Sequence, residues 1–242
     1  MPRTAGIVVI GNEILSGKVA DTNSPFMASE LRALGVDLRR IVTIPDELDV
    51  IGDTVREFSS AFDVVFTSGG VGPTHDDVTI EGIARGFGRP VIRHPELEAG
   101  LRRYLGDRLN AAHLKMAEVP EGADLVPDSN LGFPTILFRN VYVLPGIPEI
   151  LHKKFEAIRG RFRDAPWHLR VIYTSQGEST IADSLNQVVR EFPDLMLGSY
   201  PKIGHAEYVV KLTIESKDEA YARRAFDRLV ALLPAGSVVR TE

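Results

Sequence analysis

The sequence has no cysteine, a single tryptophan and no long run of apolar residues. The absence of cysteine excludes disulfides, a thiolate zinc site and a thiol nucleophile, and it suits a reducing compartment. No stretch is long and apolar enough to be a candidate membrane span, and the N-terminus lacks the charged-then-apolar pattern of a signal peptide. We therefore expect a soluble cytoplasmic protein.

Positive charge is not in excess, because 28 Lys and Arg residues against 33 Asp and Glu residues give a formal net charge of −5. This balance argues against a general affinity for nucleic acid or for an anionic membrane. The 242 residues suit one large domain, or a medium-sized domain with a small one. No internal repeat or low-complexity segment is present.

The first part of the chain alternates between strand-like and helix-like patterns. Residues 6–10, 36–44 and 62–66 are apolar or β-branched runs, and each is followed by a segment with apolar residues at helical spacing. This order predicts a parallel sheet with helices on both faces. Ligands bind beyond the carboxyl ends of such strands. Glu13, Asp46 and Asp77 each follow a strand, so we expect them at one edge of the sheet.

The most informative stretch runs from Thr67 to Thr79, between the strand at 62–66 and a predicted helix. Its glycines allow consecutive backbone amides to face one concavity, which the positive end of the next helix dipole supports as an anion seat. Asp76 and Asp77 are expected at the start of that helix, where they would repel a bare phosphate. A divalent metal resolves the conflict, since hard cations bind carboxylate and phosphate oxygens together.

Simpler interpretations of the same stretch stay open. Thr74 and Asp77 have the spacing of a helix-capping pair, and Gly69-Gly70 is typical of a tight turn. His75 is a candidate general base, but a histidine that only hydrogen-bonds its own loop is an equal alternative. His113 and His205 are expected to be structural or solvated.

The remainder of the chain predicts a second, smaller domain. A helix is expected over residues 95–117, a hairpin joins 136–138 to 141–144, and residues 159–166 form a charged linker. Beyond it the pattern is β-α-β-β-α-β, the order of a ferredoxin-like or KH-like α+β module. We place the domains at 1–164 and 168–242.

Five motifs occur in a characteristic order along the chain, namely Gly11-Asn12-Glu13-Ile14-Leu15, Asp21-Thr22-Asn23, Pro45-Asp46-Glu47, residues 69–79 and Leu144-Pro145-Gly146-Ile147-Pro148. Together they resemble the molybdenum-cofactor biosynthesis (molybdopterin-binding) domain. They are similar to the N-terminal domain of CinA-like competence/damage-inducible proteins and to the molybdopterin-binding-like domain of FAD synthases. The second module, which contains Gly198-Ser199-Tyr200-Pro201, resembles the small KH-like domain of the CinA-like group. The resemblance implies a three-layer αβα fold with a mostly parallel sheet.

The resemblance implies a metal-dependent pyrophosphatase that hydrolyses a dinucleotide such as ADP-ribose or FAD. It implies a divalent ion, Mg²⁺ or Co²⁺, with K⁺ as an additional cofactor, and a homo-oligomer, either dimer or trimer. Asn12 stands where many members of that family have aspartate, which removes one candidate metal ligand. The implied residues are Asp77, Asp76 and His75 for catalysis, Asp76, Asp77 and Glu13 for the metal, and Gly11, Asn12, Glu13, Asp46, Ser68, Gly69, Gly70, Gly72, Pro73, Thr74, Pro145 and Gly146 for substrate.

Two other functions stay open. A molybdopterin-binding or adenylylating protein of the cofactor pathway would use the same loop for a different ligand. An RNA-binding module is disfavoured, because residues 168–242 contain no Gly-x-x-Gly clamp and carry nearly balanced charge. Activities of the deamidase and adenylyltransferase domains found in some relatives are not carried over.

Overall fold

A computed structural model of the protein describes residues 3–127, 133–204 and 207–242. Two compact units make up the chain, Met1–Asp164 and Ala165–Glu242. In the part of the chain that the structure describes, no helix has the length and apolar character needed to cross a membrane.

The first unit is built on a mixed six-stranded sheet. Its strands lie in the order β2-β1-β3-β8-β7-β6, with β1, β2, β3 and β8 parallel and the last two pairings antiparallel. Two further strands, β4 and β5, form a separate antiparallel pair. The strands are β1 (Thr4–Ile10), β2 (Asp37–Ile44), β3 (Val64–Ser68), β4 (Val91–Arg93), β5 (Glu118–Pro120), β6 (Asp124–Val126), β7 (Thr135–Phe138) and β8 (Val141–Leu144).

Helices connect these strands and cover both faces of the sheet. Two 3₁₀ segments, Gly106–Arg108 and Arg159–Phe162, follow α5 and α7. The helices are α1 (Asn12–Leu15), α2 (Asn23–Ala33), α3 (Leu48–Ala61), α4 (Thr79–Gly86), α5 (Pro95–Leu105), α6 (Ala111–Lys115) and α7 (Pro148–Ile158).

The two faces of β1 show why the sheet has three layers. Alternate β1 residues point to opposite faces, so a strand that is apolar throughout must be covered on both. The first face packs on α2 and α7, and the second packs on α3, α4 and α5, which confirms the predicted αβα architecture. The first core includes Ala5, Ile7, Val9, Met27, Leu31, Phe155 and Ile158, and the second includes Val8, Ile10, Ile51, Val55, Phe58, Ile83 and Leu97.

The strand order fixes where a ligand can bind. From β1 the chain crosses to β2 on one side of it, and from β2 it returns to β3 on the other side. The loops after β1 and β3 therefore diverge, which leaves a crevice at the carboxyl edge of the sheet. The loop after β8 reaches the same edge, because β8 runs parallel to β3.

Glycines bring α3 and α4 unusually close together. A Cβ atom built on Gly52 would lie 2.7 Å from the Gly82 carbonyl oxygen, and one on Gly86 would collide with Gly52. Larger residues would push α4 outward. Since α4 begins at Thr79, which hydrogen-bonds to the carbonyl oxygens of Gly69 and Gly70, this contact positions the loop at residues 69–72 as well as the helix.

The second unit has the order β9 (His168–Thr174), α8 (Glu178–Glu191), β10 (Met196–Pro201), β11 (Val210–Ser216), α9 (Glu219–Leu232) and β12 (Val238–Thr241). Its four strands are antiparallel in the order β10-β11-β9-β12. This is a ferredoxin-like α+β module, as the β-α-β-β-α-β pattern predicted. Its core joins apolar residues of the strands to both helices, including Ile172, Ile181, Val188, Leu212, Ile214 and Leu229.

Three expectations about local structure were wrong. The helix predicted over 95–117 is broken, because Leu109 is extended and the Asn110 side chain starts a new helix by accepting the His113 amide. Asp76 and Asp77 precede α4 in a separate turn and do not stand at the helix start. The predicted linker begins too early, since Phe162 is fully buried against Phe66 and Tyr142.

Candidate functional site

Two neighbouring cavities open at the carboxyl edge of the first sheet. The loop cavity, of about 410 Å³, is lined by the loops after β1, β3 and β8. The apolar cavity, of about 510 Å³, lies between that edge and residues of α5, α6, β7, β8 and α7. The two cavities share a wall, which we call the common wall, formed by Gly70, Val71, Gly72, Pro73, Asp77 and Ile147.

The glycine loop after β3 is held at both ends. Gly69 has a φ of 108°, and a side chain there would collide with the Ile10 carbonyl oxygen. The Gly69 amide donates to the Leu144 carbonyl oxygen at 3.2 Å. Buried Thr79 donates its hydroxyl to the Gly69 oxygen at 2.9 Å and its amide to the Gly70 oxygen at 3.0 Å. The backbone path of the loop is therefore set before any ligand binds.

The amides that follow are open. Among the described residues, no acceptor takes the backbone amides of Gly70, Val71 and Gly72. Successive amides in a glycine-rich loop form a seat for an anion. The sequence predicted that the amides from Gly69 to Gly72 would serve this purpose. The Gly69 amide is not part of this anion seat, because it donates to the Leu144 carbonyl oxygen of β8.

Asn23 joins two of the site loops. Its Nδ2 donates to the Ser68 Oγ at 3.0 Å and to the Gly146 carbonyl oxygen at 2.8 Å. Because a carbonyl only accepts, the second bond fixes which way the amide group faces. Asp21 holds the start of α2 in turn, because its Oδ1 accepts from the amides of Asn23 and Ser24. Ser68, a predicted substrate contact, is thus buried and engaged with Asn23.

Residues 74–77 form a compact turn, the acid turn. The Thr74 hydroxyl oxygen lies 2.6 Å from the Asp76 Oδ1 and 2.5 Å from the Asp77 Oδ2. The Asp77 Oδ2 also accepts the Thr74 amide at 2.8 Å. A hydroxyl has only one hydrogen, so Thr74 cannot donate to both carboxylates at once. The Thr74 hydroxyl therefore lies between the two carboxylates and donates to one of them at a time.

Charge on the acid turn is maintained by its own hydrogen bonds. The Thr74 hydroxyl, together with the backbone amide of Asp76, lowers the pKa of the Asp76 carboxyl from its ordinary value. The Lys115 Nζ donates to the Thr74 carbonyl oxygen at 2.9 Å, which ties α6 to the turn. The His75 Nδ1 lies 3.9 Å from the Asp76 Oδ1, and the His75 side chain is 97% exposed.

The predicted site residues divide into those that line a cavity and those that do not. Asp46 accepts the Asn12 amide at 2.7 Å, so it holds the start of α1 beside the site. Those that line neither cavity are Gly11, Asn12, Asp46, His75 and Asp76. Those that line at least one are Glu13, Ser68, Gly69, Gly70, Gly72, Pro73, Thr74, Asp77, Pro145 and Gly146.

The structure does not bring the three predicted metal ligands, Asp76, Asp77 and Glu13, together in one group. In residues 3–127, 133–204 and 207–242, no group of three or more His, Asp or Glu side chains converges. Glu13 lines the loop cavity, with its carboxylate folded against Gly11. Asp76 and Asp77 share the Thr74 hydroxyl. Magnesium is commonly held by one or two carboxylates together with substrate phosphates, so the acid turn beside open amides suits such an ion.

Sequence reasoning missed residues on the far wall of the apolar cavity. Lys154 is 7% exposed, and its Nζ donates to the carbonyl oxygens of Phe133 and Pro134 at 2.7 Å and 3.2 Å. The sequence feature that could have indicated Lys154 is the position of a lysine within the apolar face of α7. The sequence places Asn23 in a motif but does not show that it joins two site loops. His113 caps α6, and His205 lies outside the described residues.

Comparisons with known proteins bear on this site. Residues 6–163 match the family described as a probable molybdopterin binding domain, and residues 166–242 match the family described as the FAD synthase middle domain. A protein of Archaeoglobus fulgidus is 38% identical over 227 residues, covering 94% of this chain and 96% of that protein. The similarity extends through both units.

Two named proteins are also similar. A probable FAD synthase of Caenorhabditis elegans is 32% identical over 265 residues, covering 98% of this chain but 51% of that protein, so the chain spans about half of its length. The crystal structure of CinA from Thermoplasma acidophilum has a TM-score of 0.61 and 30% identity, covering 67% of this chain and 100% of that structure. From the match over residues 6–163, the chain belongs to the probable molybdopterin binding domain family.

Proposed function

We propose that the protein is a metal-dependent pyrophosphatase that hydrolyses a dinucleotide such as FAD or ADP-ribose. The observation that carries the proposal is the common wall. It presents the amides of Gly70, Val71 and Gly72 between two cavities, with the carboxylate of Asp77 in the same wall. The pyrophosphate of a dinucleotide links one nucleoside half to another group. A wall that separates two cavities suits such a ligand, because each half can occupy one cavity.

The residues have distinct parts in the proposal. The three open amides donate to phosphate oxygens and stabilise negative charge that develops on the group under attack. Asp76 and Asp77 would hold a divalent ion, Mg²⁺ or Co²⁺, which supplies charge neutralisation and an activated water when bound. His75, at the exposed edge of the acid turn, is the candidate to accept the proton of the attacking water. Asn23 keeps the loops after β3 and β8 in register.

The reaction is balanced by one water. Hydrolysis breaks one P–O bond of the anhydride, so FAD gives AMP and FMN, and ADP-ribose gives AMP and ribose 5-phosphate. The test is to incubate the purified chain with each dinucleotide, with Mg²⁺, with Co²⁺ and with a chelator, and to measure the release of AMP. We expect AMP to be released only when a divalent metal ion is present. K⁺ is tested as an additional activator. No release with any ion would refute the proposal.

The second candidate is a molybdopterin-binding or adenylylating protein, which the family match over residues 6–163 favours. The same open amides would then hold the phosphate of the pterin. A pterin retained through purification, or nucleotide chemistry that depends on added pterin, would support this function. Neither result is expected from a dinucleotide pyrophosphatase, so the two proposals separate cleanly.

A further inference from the structure

Lys115 is a half-buried lysine at the end of α6, and it lines the apolar cavity together with the glycines of the common wall. Its Nζ donates one hydrogen bond, to the Thr74 carbonyl oxygen at 2.9 Å. An ammonium group has three hydrogens, so two remain to donate. Because Thr74 follows Gly72 by two positions, this bond places the ammonium beside the end of the anion seat.

The Lys115 ammonium has no carboxylate at close range among the described residues. Asp77, Glu81 and Glu118 line the same cavity, but no oxygen of theirs or of any other described carboxylate comes within 4.0 Å of the Lys115 Nζ. A partly buried charge is costly to remove from water unless an opposite charge accompanies it. A phosphate group at the open amides would supply that charge, and lysine commonly binds phosphate as a point charge.

The backbone that carries Lys115 is anchored on both sides of it. The Asn110 side chain, at the start of α6, accepts the His113 amide at 3.0 Å. Ala117, two residues after Lys115, is fully buried, and its carbonyl oxygen accepts the His94 amide at 2.8 Å. Neither anchor involves the acid turn. The stem of Lys115 is therefore positioned independently of that turn, and an ammonium held in this way loses little conformational freedom when an anion binds.

We propose that Lys115 is a catalytic residue of the anion seat, and that its two remaining ammonium hydrogens donate to the pyrophosphate of the substrate. The inference rests on the proposed function in one respect, since it takes the bound anion to be a pyrophosphate. When the P–O bond of the anhydride breaks, its electron pair stays on the oxygen of the departing phosphate. The Lys115 ammonium stabilises that charge and keeps its own protons.

Lys115 also has a structural bond that the test must separate from this contact. Within the part of the chain that the structure describes, the bond from Lys115 to Thr74 is the one hydrogen bond that joins the acid turn to another element. Lys115 could thus act only by holding Asp76 and Asp77 in place. In that case its loss would weaken the binding of Mg²⁺, and a higher concentration of Mg²⁺ would compensate.

Methylenediphosphonate tests the contact without hydrolysis, because a carbon atom replaces the bridging oxygen of pyrophosphate. Calorimetric titration of the full chain at saturating Mg²⁺ gives its dissociation constant. Lys115→Met removes the charge but keeps an unbranched stem, and we expect the dissociation constant to rise roughly 10- to 100-fold. Lys115→Arg keeps the charge and should bind within about threefold of the parent. Lys153→Met, at an exposed position of α7 that lines neither cavity, is the matched control and should bind as the parent does.

The inference predicts that the loss in Lys115→Met persists when the Mg²⁺ concentration is raised further. Recovery of the parent affinity at high Mg²⁺ would overturn it, because Lys115 would then act only through the acid turn. Failure of the parent to bind the analogue would also overturn it, as would equal binding in Lys115→Met and Lys153→Met, even if dinucleotides are hydrolysed. Binding that depends on Lys115, in a chain that hydrolyses no dinucleotide, would support the contact and refute the pyrophosphatase instead.

Discussion

Replacing Asp77 with asparagine tests the acid turn with the least change of shape. Asp77 lies in the common wall, and its Oδ2 accepts the Thr74 amide and lies 2.5 Å from the Thr74 hydroxyl oxygen. Asparagine keeps an oxygen that can accept these bonds but removes the charge. Asp77→Asn therefore tests the loss of a cation-binding carboxylate while the turn keeps its hydrogen bonds. Asp77→Ala would remove both at once.

The expected effects differ greatly in size. The turn is solvent-exposed, so weakening its hydrogen bonds costs about 1 kcal/mol, or a Tm lowered by about 2–4 °C. Loss of one charged group that stabilises the transition state should lower metal-dependent turnover by ~10²-fold or more. A small thermal shift with a large rate loss would indicate a functional carboxylate.

The assay is AMP release from FAD at several Mg²⁺ concentrations, beside thermal unfolding of the same samples. Asp107→Asn is the matched control, because Asp107 is an exposed carboxylate in the 3₁₀ segment after α5 and lines neither cavity. We expect Asp107→Asn to behave as the parent does. If Asp77→Asn folds and hydrolyses FAD at the parent rate, the assignment of Asp77 to the metal is wrong.

Three further outcomes follow from the structure. Gly52→Ala should destabilise the first unit by roughly 1–3 kcal/mol in urea unfolding, since its Cβ would press on α4, whereas Gly100→Ala should stabilise α5 by about 1 kcal/mol. Hydrogen bonds from Arg228 and Gln187 lower the pKa of Glu191 from 4.5 to about 2. These bonds therefore stabilise the fold above pH 4.5, and their contribution is lost as the pH falls towards 2. In Glu191→Gln, the free energy of unfolding should depend less on pH over this window. A fragment of residues 1–164 should stay folded and bind nucleotide, and we expect light scattering to give it a smaller assembly than the whole chain forms. Loss of nucleotide binding by a folded fragment would refute the placement of the site within the first unit.

The repeating parts of the fold could be predicted because hydrophobic patterning alone determines them. The β1 run and the hairpin around Arg139 and Asn140 have patterns that few other structures satisfy. The features that the sequence did not predict depend on single residues whose neighbours along the chain indicate a different structure. Phe162 is one aromatic residue in a charged segment, and burial of its ring against Phe66 outweighs the local composition. Asn110 breaks a helix through a capping bond with no hydrophobic signature.

The site was predictable where its chemistry is local. The glycine loop and acid turn lie within residues 67–79, so spacing alone predicted that they would be adjacent. Asn23 and Lys154 act on backbone groups far along the chain, with Asn23 and Gly146 separated by 123 positions. Only the folded sheet brings such pairs together, so their contacts cannot be read from sequence spacing. The Gly69 amide was misassigned for the same reason, because its acceptor is on β8.

The common wall also bears on how products leave. Under the proposed function, a dinucleotide that spanned it would be held at both cavities through one covalent linkage, so binding of one half would raise the effective concentration of the other. Cleavage of the anhydride would remove that linkage. Each product would then dissociate with the weaker affinity of a single cavity, so product release would follow from the reaction itself.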